Sequence, residues 1–321
     1  MPGLNKAVIQ TKGLSKSYGE VIGLKPLDLN VPRHSIFGFL GPNGAGKTTT
    51  MKLLLGLIRP TAGSGSIFGQ DIVRDSVAIR SRIGYLPQQP RFVDDMSARE
   101  TLRFTARFFF SGPQAKIEER VNEMLDLVGL QDKADRPVKG FSGGERQRLG
   151  LAQAQVNYPE LLILDEPAAA LDPIGRHEVL RVMERLRAHT TIFYSTHILD
   201  DVQQVSDTVA ILNQGQLLAQ GPIERLLAGS GGPAYTLKLK GDAVPTMTRI
   251  KALPWVSDVE AATRNGFVIW QVGVTDEQAA QAHLLRRVLA DESLAVVEFS
   301  RKTQQLEEVF MDIVKGGNHD R

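Results

Sequence analysis

One stretch, Gly41-Pro42-Asn43-Gly44-Ala45-Gly46-Lys47-Thr48, constrains this chain more than any other. It follows an apolar run at 35–40 and precedes a helical pattern, so its glycines fall at a strand-to-helix turn. Such a turn wraps backbone N–H groups around phosphate oxygens, and the helix N-terminus adds a favourable dipole. Lys47 is placed to reach β- and γ-phosphates, and the Thr48 hydroxyl to ligate Mg²⁺. Thr49 completes the phosphate-binding candidates. A strand feeding a helix in this way belongs to an α/β fold with a parallel sheet.

The rest of the pattern agrees. Short apolar runs at 83–86, 161–164 and 191–195 alternate with helical stretches. One of these, 175–188, carries Val179, Met183 and Leu186 at helical spacing. From about 97 to 129 the pattern is helical throughout, and Ser97 with Glu100 forms a capping box at its start. A helical insert over about 97–157 thus interrupts the core. Runs at 209–212 and 216–219 flank Asn213-Gln214-Gly215 as a hairpin.

Gly229-Ser230-Gly231-Gly232-Pro233 reads as a linker. It divides the chain into residues 1–228 and a small α+β domain at 229–321. That domain reads as strand 235–240, helix 245–253, strands 256–261 and 267–272, and a helix ending at 289. A capping box of Thr275 and Gln278 opens that helix. A strand at 295–299 and a helix at 304–315 follow. The order β-α-β-β-α-β suggests a ferredoxin-like split fold.

Composition narrows the function classes. Lys and Arg total 38 against 36 Asp and Glu, a balance without the basic footprint of a nucleic-acid binder. With no cysteine, thiolate metal sites and thiol nucleophiles are excluded. The N-terminal Met-Pro-Gly-Leu-Asn-Lys lacks a signal-peptide core. No apolar run approaches the roughly 18 residues of a membrane span. These features predict a cytoplasmic chain whose membrane part, if it has one, is another polypeptide.

A second motif completes the chemistry. The run Leu161-Leu162-Ile163-Leu164 ends in Asp165-Glu166-Pro167. An acid at the end of a buried strand suits a metal-orienting carboxylate, here Asp165. Glu166, one residue further, is placed to take a proton from an attacking water.

Phe141-Ser142-Gly143-Gly144-Glu145 would by itself be a Ser-x-x-Glu capping box. In company with the other motifs it resembles the Leu-Ser-Gly-Gly-Gln signature of the ATP-binding cassette (ABC) family. The remaining family motifs follow in order. Tyr18, in Ser-Lys-Ser-Tyr-Gly, resembles the aromatic residue that stacks on adenine. Gln88 matches the Q-loop glutamine that senses Mg²⁺ and faces the membrane partner; Gln89, next to it, is the alternative. Ala170-Leu171-Asp172 resembles the D-loop, and His197 the switch histidine that holds the γ-phosphate and water. Phe141 and Glu145 depart from the commonest signature, as Ala168 and Ala170 do from the segment after Pro167.

The resemblance implies a RecA-like P-loop core with an antiparallel β subdomain and a helical subdomain. It implies an ATPase using Mg²⁺, held by Thr48, Gln88 and Asp165, with Glu166, His197, Lys47 and Gln88 catalytic. Two such domains would meet head to tail, with Ser142, Gly143, Gly144 and Glu145 acting in trans and Asp172 at the interface. The implied role is the motor of a transporter, an exporter by family analogy. It would lie on the inner face of the cell membrane with an ABC-2-type permease, as a homodimer or beside a related subunit. The alternative is a non-transport ABC ATPase acting on the ribosome or DNA. Against it, the chain has neither a long coiled coil between the two motifs nor a second cassette.

Overall fold

The runs read as strands assemble into a six-stranded sheet in the computed structural model, which describes residues 7–169, 171–227, 233–264, 266–302, 306–307 and 309–311. Its strands lie in the order Gln216–Pro222, Thr208–Asn213, Ile36–Leu40, Thr191–Thr196, Leu161–Asp165, Ile83–Leu86. All are parallel except the edge strand Gln216–Pro222, which folds back antiparallel on Thr208–Asn213. At that turn Gln214 (φ 47°) and Gly215 (φ 74°) are both left-handed, the hairpin geometry that suits the twist of paired strands.

Ile36–Leu40, Leu161–Asp165 and Thr191–Thr196 are buried at every position. Central parallel strands covered on both faces must be, which is why they read as unbroken apolar runs. Being parallel, they also end at one edge, with Leu40 opposite Thr196 and Asp165 opposite Ser195. The chain therefore leaves three neighbouring strands at Gly41, Glu166 and His197. Ligands of open α/β sheets bind at such carboxyl edges.

The antiparallel subdomain is a second sheet, ordered Val21–Leu27, Ile9–Tyr18, Ala62–Ile67, Gln70–Asp71, with Asn30–Val31 also paired to Ile9–Tyr18. The helix Lys47–Leu54 packs on strands of both sheets. Met51 and Leu54 join Leu14, Leu27, Phe39 and Phe193 in one core.

The helical insert contains Ala98–Ala106, Gln114–Leu127 and Gly143–Gln155. Ser97 Oγ accepts the Glu100 N–H at 3.2 Å and Glu100 accepts the Ser97 N–H at 2.8 Å. The helical stretch expected over 97–129 is not continuous: the first helix ends at Ala106, Pro113 is the N-cap of a second, and residues 107–113 separate the two. The helix expected at 175–188 starts earlier, at Pro173, because Asp172 Oδ1 accepts the Gly175 N–H at 2.8 Å. Proline suits the first helical position, where its missing N–H costs nothing.

By its packing the chain divides into two compact units, the first ending at Ile223 and the second spanning Glu224–Asp312. The second is a four-stranded antiparallel sheet ordered Val256–Arg264, Phe267–Val274, Ala234–Lys240, Ala295–Lys302, with helices Val244–Lys251 and Glu277–Leu289. The first and third strands of the β-α-β-β-α-β order lie at the centre, as in a ferredoxin-like split fold. Leu237, Leu239, Trp270, Val272, Leu284 and Val288 form its core.

Thr275 is not the cap of Glu277–Leu289. Its N–H is still bonded to Trp255 O at 2.9 Å, so the chain is not yet free to turn. Asp276 caps instead, accepting the Ala279 N–H at 3.0 Å. Of the helix expected over 304–315, the described residues 306–307 and 309–311 are helical; its remainder and linker positions 229–232 lie outside the described residues.

Candidate active site

The loop Gly41–Thr48 is held from behind by two distant segments. Gly215 N–H donates to Ala45 O at 2.9 Å, and Lys25 N–H donates to Gly215 O at 2.8 Å. The fit excludes side chains. A Cβ on Gly41 would lie 2.3 Å from Leu212 O, and one on Gly46, whose φ is 103°, would lie 2.7 Å from Gly23 O. Pro42, Asn43 and Gly44 form the exposed rim, while Ala45 is buried and Thr49 half-buried. Lys47, only 5% exposed, donates to Gly41 O at 2.7 Å and Pro42 O at 3.1 Å. Its ammonium group thus lies inside the loop that its own helix begins.

Asp165 stands at the end of the next strand but one, beyond Thr191–Thr196. Thr48 Oγ1 donates to its Oδ2 at 2.9 Å, and Ser195 Oγ donates to its Oδ1 at 2.6 Å. Glu166 follows with φ of 50°, a conformation that costs a non-glycine residue about 1–3 kcal/mol. Its N–H donates to Ser195 O at 3.2 Å and Ser195 Oγ at 3.0 Å, which holds the turn. Glu166 Oε1 lies 3.3 Å from Lys47 Nζ. Glu166 Oε2 accepts from Gln88 Nε2 at 3.3 Å and lies 3.2 Å from His197 Nδ1. One buried carboxylate thus joins three loops. Of the adjacent glutamines, Gln88 is the one that reaches it.

The donor set fits Mg²⁺. Thr48 Oγ1 and Asp165 Oδ2 are hard oxygens already 2.9 Å apart. Mg²⁺ is usually bound through one or two carboxylates plus substrate phosphates, with waters filling its octahedron. Among the described residues no cluster of three or more His, Cys, Asp or Glu could hold a metal ion. Burial, with the charge of Asp165 behind it, pushes the Tyr85 phenol up to about 12.

Tyr18 ends its strand opposite Val21, 48% exposed, with Lys16 Nζ 5.1 Å from the ring centroid. A Cβ on Gly23 would lie 2.9 Å from the Tyr18 ring. Gly23 therefore touches the tyrosine on one side and the phosphate loop on the other.

The signature stands apart. Ser142 caps the helix Gly143–Gln155, its Oγ accepting the Glu145 N–H at 3.3 Å while Glu145 Oε2 accepts the Ser142 N–H at 2.8 Å. Glu145 Oε1 is ion-paired to Lys133. Burial resists ionisation of Glu145, but the Lys133 ammonium and the Ser142 N–H outweigh it and hold the carboxyl below its usual range. Ser142 and Gly143 are exposed, and a Cβ on Gly143 would meet nothing within 4 Å. Gly144 faces Leu171 and Gly175, close to Asp172. Among the described residues none of Ser142, Gly143, Gly144, Glu145 or Asp172 bonds to the cluster around Glu166. Ala170 lies outside the described residues.

Two contributors carried no role in the sequence reading. Ser195 is fully buried between both acids and the sheet; a hydroxyl inside the apolar run at 191–195 was the available signal. Lys133 gave no local signal, since its partner is twelve residues away.

A model of the ABC transporter family matches residues 24–169. The chain is 37% identical over 311 residues to the ABC transporter ATP-binding protein YxlF of Bacillus subtilis, covering 96% of this chain and 99% of that one. It is 33% identical over 312 residues to the Nod factor export ATP-binding protein I of Ralstonia nicotianae, covering 97% and 95%. Among solved structures, cbiO1 from Clostridium perfringens, part of the ABC transporter complex cbiONQ, matches with a TM-score of 0.65 at 25% identity. That match covers 78% of this chain and 96% of the other. Likeness sustained over nearly the whole of two relatives settles the assignment: the chain belongs to the ABC transporter family, as an ATP-binding subunit that hydrolyses ATP to power transport.

Proposed function

We propose that the chain is one half of an exporter motor, sharing two nucleotide sites with a second cassette, a copy of itself or a related subunit. The motor would dock on an ABC-2-type permease at the inner face of the cell membrane. The name of the Nod factor export relative, which aligns along nearly its whole length, supports export. Among the described residues no helix is long and apolar enough to cross a membrane; a separate permease is proposed to supply the path.

The observation that carries the chemical reading is the position of Glu166, within 3.3 Å of Lys47, Gln88 and His197. In this reading Tyr18 stacks on adenine, and backbone N–H groups of Gly41–Thr49 hold the phosphates with Lys47. Thr48, Asp165 and Gln88 hold Mg²⁺, which supplies charge neutralisation on the phosphate oxygens. Glu166 takes the proton of the attacking water, and His197 orients that water and the γ-phosphate. Ser142, Gly143, Gly144 and Glu145 serve the nucleotide of the other cassette, with Asp172 between the two sites. Their separation from the Glu166 cluster and the open space at Gly143 support this division.

A mixed dimer tests the sharing. A Lys47→Ala chain and a Ser142→Arg chain are each expected to be inactive alone. Mixed, they form one doubly damaged site and one site with an intact loop from one chain and an intact signature from the other. ATP-dependent mixed dimers that occlude nucleotide in a single site are expected. Cross-linked mixed dimers without occlusion would show that each chain uses its own signature.

A further inference from the structure

The Glu145–Lys133 pair raises a question of charge. Glu145 stands at the third position of the signature helix, where its carboxylate does what a glutamine side chain could do neutrally: accept the Ser142 N–H. A carboxylate makes that bond stronger and suits the helix dipole. It also sets a full negative charge directly beneath the turn whose exposed N–H groups are suited to an anion. The charge is buried, since Glu145 is 7% exposed, so water alone screens it poorly.

Lys133 answers it. The residue closes the short turn Gln131–Lys133 before the signature, and its ammonium pairs with Glu145 Oε1, the oxygen not engaged by Ser142. Both carboxylate oxygens are thereby fixed. Ser142 Oγ accepts the Glu145 N–H, and the Ser142 side chain also helps hold the Glu145 carboxylate.

We infer that Lys133 is a positioning residue of the shared nucleotide site, neutralising Glu145 so that the signature turn accepts a triphosphate held by the other cassette. The inference rests on the in-trans reading of the signature given above. Without Lys133, a buried carboxylate would face the approaching phosphates unpaired and free to rotate off Ser142.

The test uses the full chain carrying Glu166→Gln, with MgATP, and reads the monomer–dimer equilibrium by sedimentation. Lys133→Met is expected to weaken ATP-dependent dimerisation about tenfold, a screened single-charge effect felt at both sites of the dimer. Lys133→Arg, which keeps the charge, should dimerise like the parent. The decisive comparison adds Glu145→Gln: with that carboxylate removed, Lys133→Met should cost nothing further. Equal dimerisation of Lys133→Met and parent overturns the inference. So does an undiminished loss in the Glu145→Gln background, which would make Lys133 merely structural. Fluorescent-nucleotide affinity of the dilute monomer controls for damage at the phosphate loop and should match the parent. A parent that never dimerises with ATP overturns the in-trans reading, and this inference with it.

Discussion

Ser195 and Asp165 are joined by the 2.6 Å bond from the Ser195 hydroxyl to Asp165 Oδ1, and the same hydroxyl oxygen receives the Glu166 N–H at 3.0 Å. A single buried side chain therefore fixes both the acid beside Thr48 and the strained backbone of the acid that follows.

Replacing it tests that economy. Ser195→Ala leaves a buried N–H with one partner fewer and a carboxylate with one donor fewer, a loss of about 1–3 kcal/mol. Thermal unfolding should register the drop. Turnover should fall more than nucleotide binding, because the geometry lost belongs to Asp165 and Glu166 rather than to the phosphate loop. Equal falls in affinity and turnover would place the damage elsewhere.

Glu166→Gln is nearly isosteric but takes no proton. ATP binding should survive while turnover drops by about 10²–10⁴-fold, the usual worth of a general base. Size-exclusion chromatography with ATP should then reveal a trapped dimer. Hydrolysis at the parent rate would remove Glu166 from the proton-transfer step.

Tyr18 offers a ring already half exposed beside the phosphate loop. Stacking on a base is worth about 1–3 kcal/mol and is alike in ground and transition states. Steady-state kinetics of Tyr18→Ala should accordingly show KM for ATP raised about 5- to 100-fold with kcat little changed. Tyr18→Phe should restore KM, since the face and not the hydroxyl does the binding.

In the second unit, Asp291 links the helix Val244–Lys251 to the last strand's approach. It accepts from the hydroxyls of Ser293 and Thr246, and from Arg249 at 2.8 Å. The Ser293 hydroxyl first, then Thr246, hold its carboxyl down to about 2 against an ordinary 3.8. The folded value lies below the unfolded one, so the stabilisation is full above about pH 4 and vanishes as pH falls through about 2. Melting curves of the parent and Asp291→Asn should keep a constant gap down to about pH 4 that closes towards pH 2. A gap independent of pH would assign the effect to packing.

The parallel strands were legible because burial on both faces writes them as plain apolar runs, Leu161–Asp165 being buried throughout. The strand Ile9–Tyr18 was not, although it anchors the second sheet. Its pairing with Val21–Leu27 shifts register between Leu14 and Lys16 and again between Lys16 and Ser17, which breaks the period of two. Thr11 also occupies a buried position, donating to Leu27 O at 2.7 Å and accepting the Leu29 N–H at 2.8 Å. A polar residue there hides the inward face. The loops of the site were readable from spacing, but Ser195 acts through geometry between strands, and no spacing along the chain encodes that.

The backing of the phosphate loop by Gly23 and by Leu212–Gly215 has a consequence for biosynthesis. A nascent chain carries the whole Gly41–Thr48 motif early, yet the turn against which that loop rests is translated only near the end of the first unit. Nucleotide capture should therefore be acquired late and abruptly during synthesis, making ATP a ligand of the finished sheet and not of the motif.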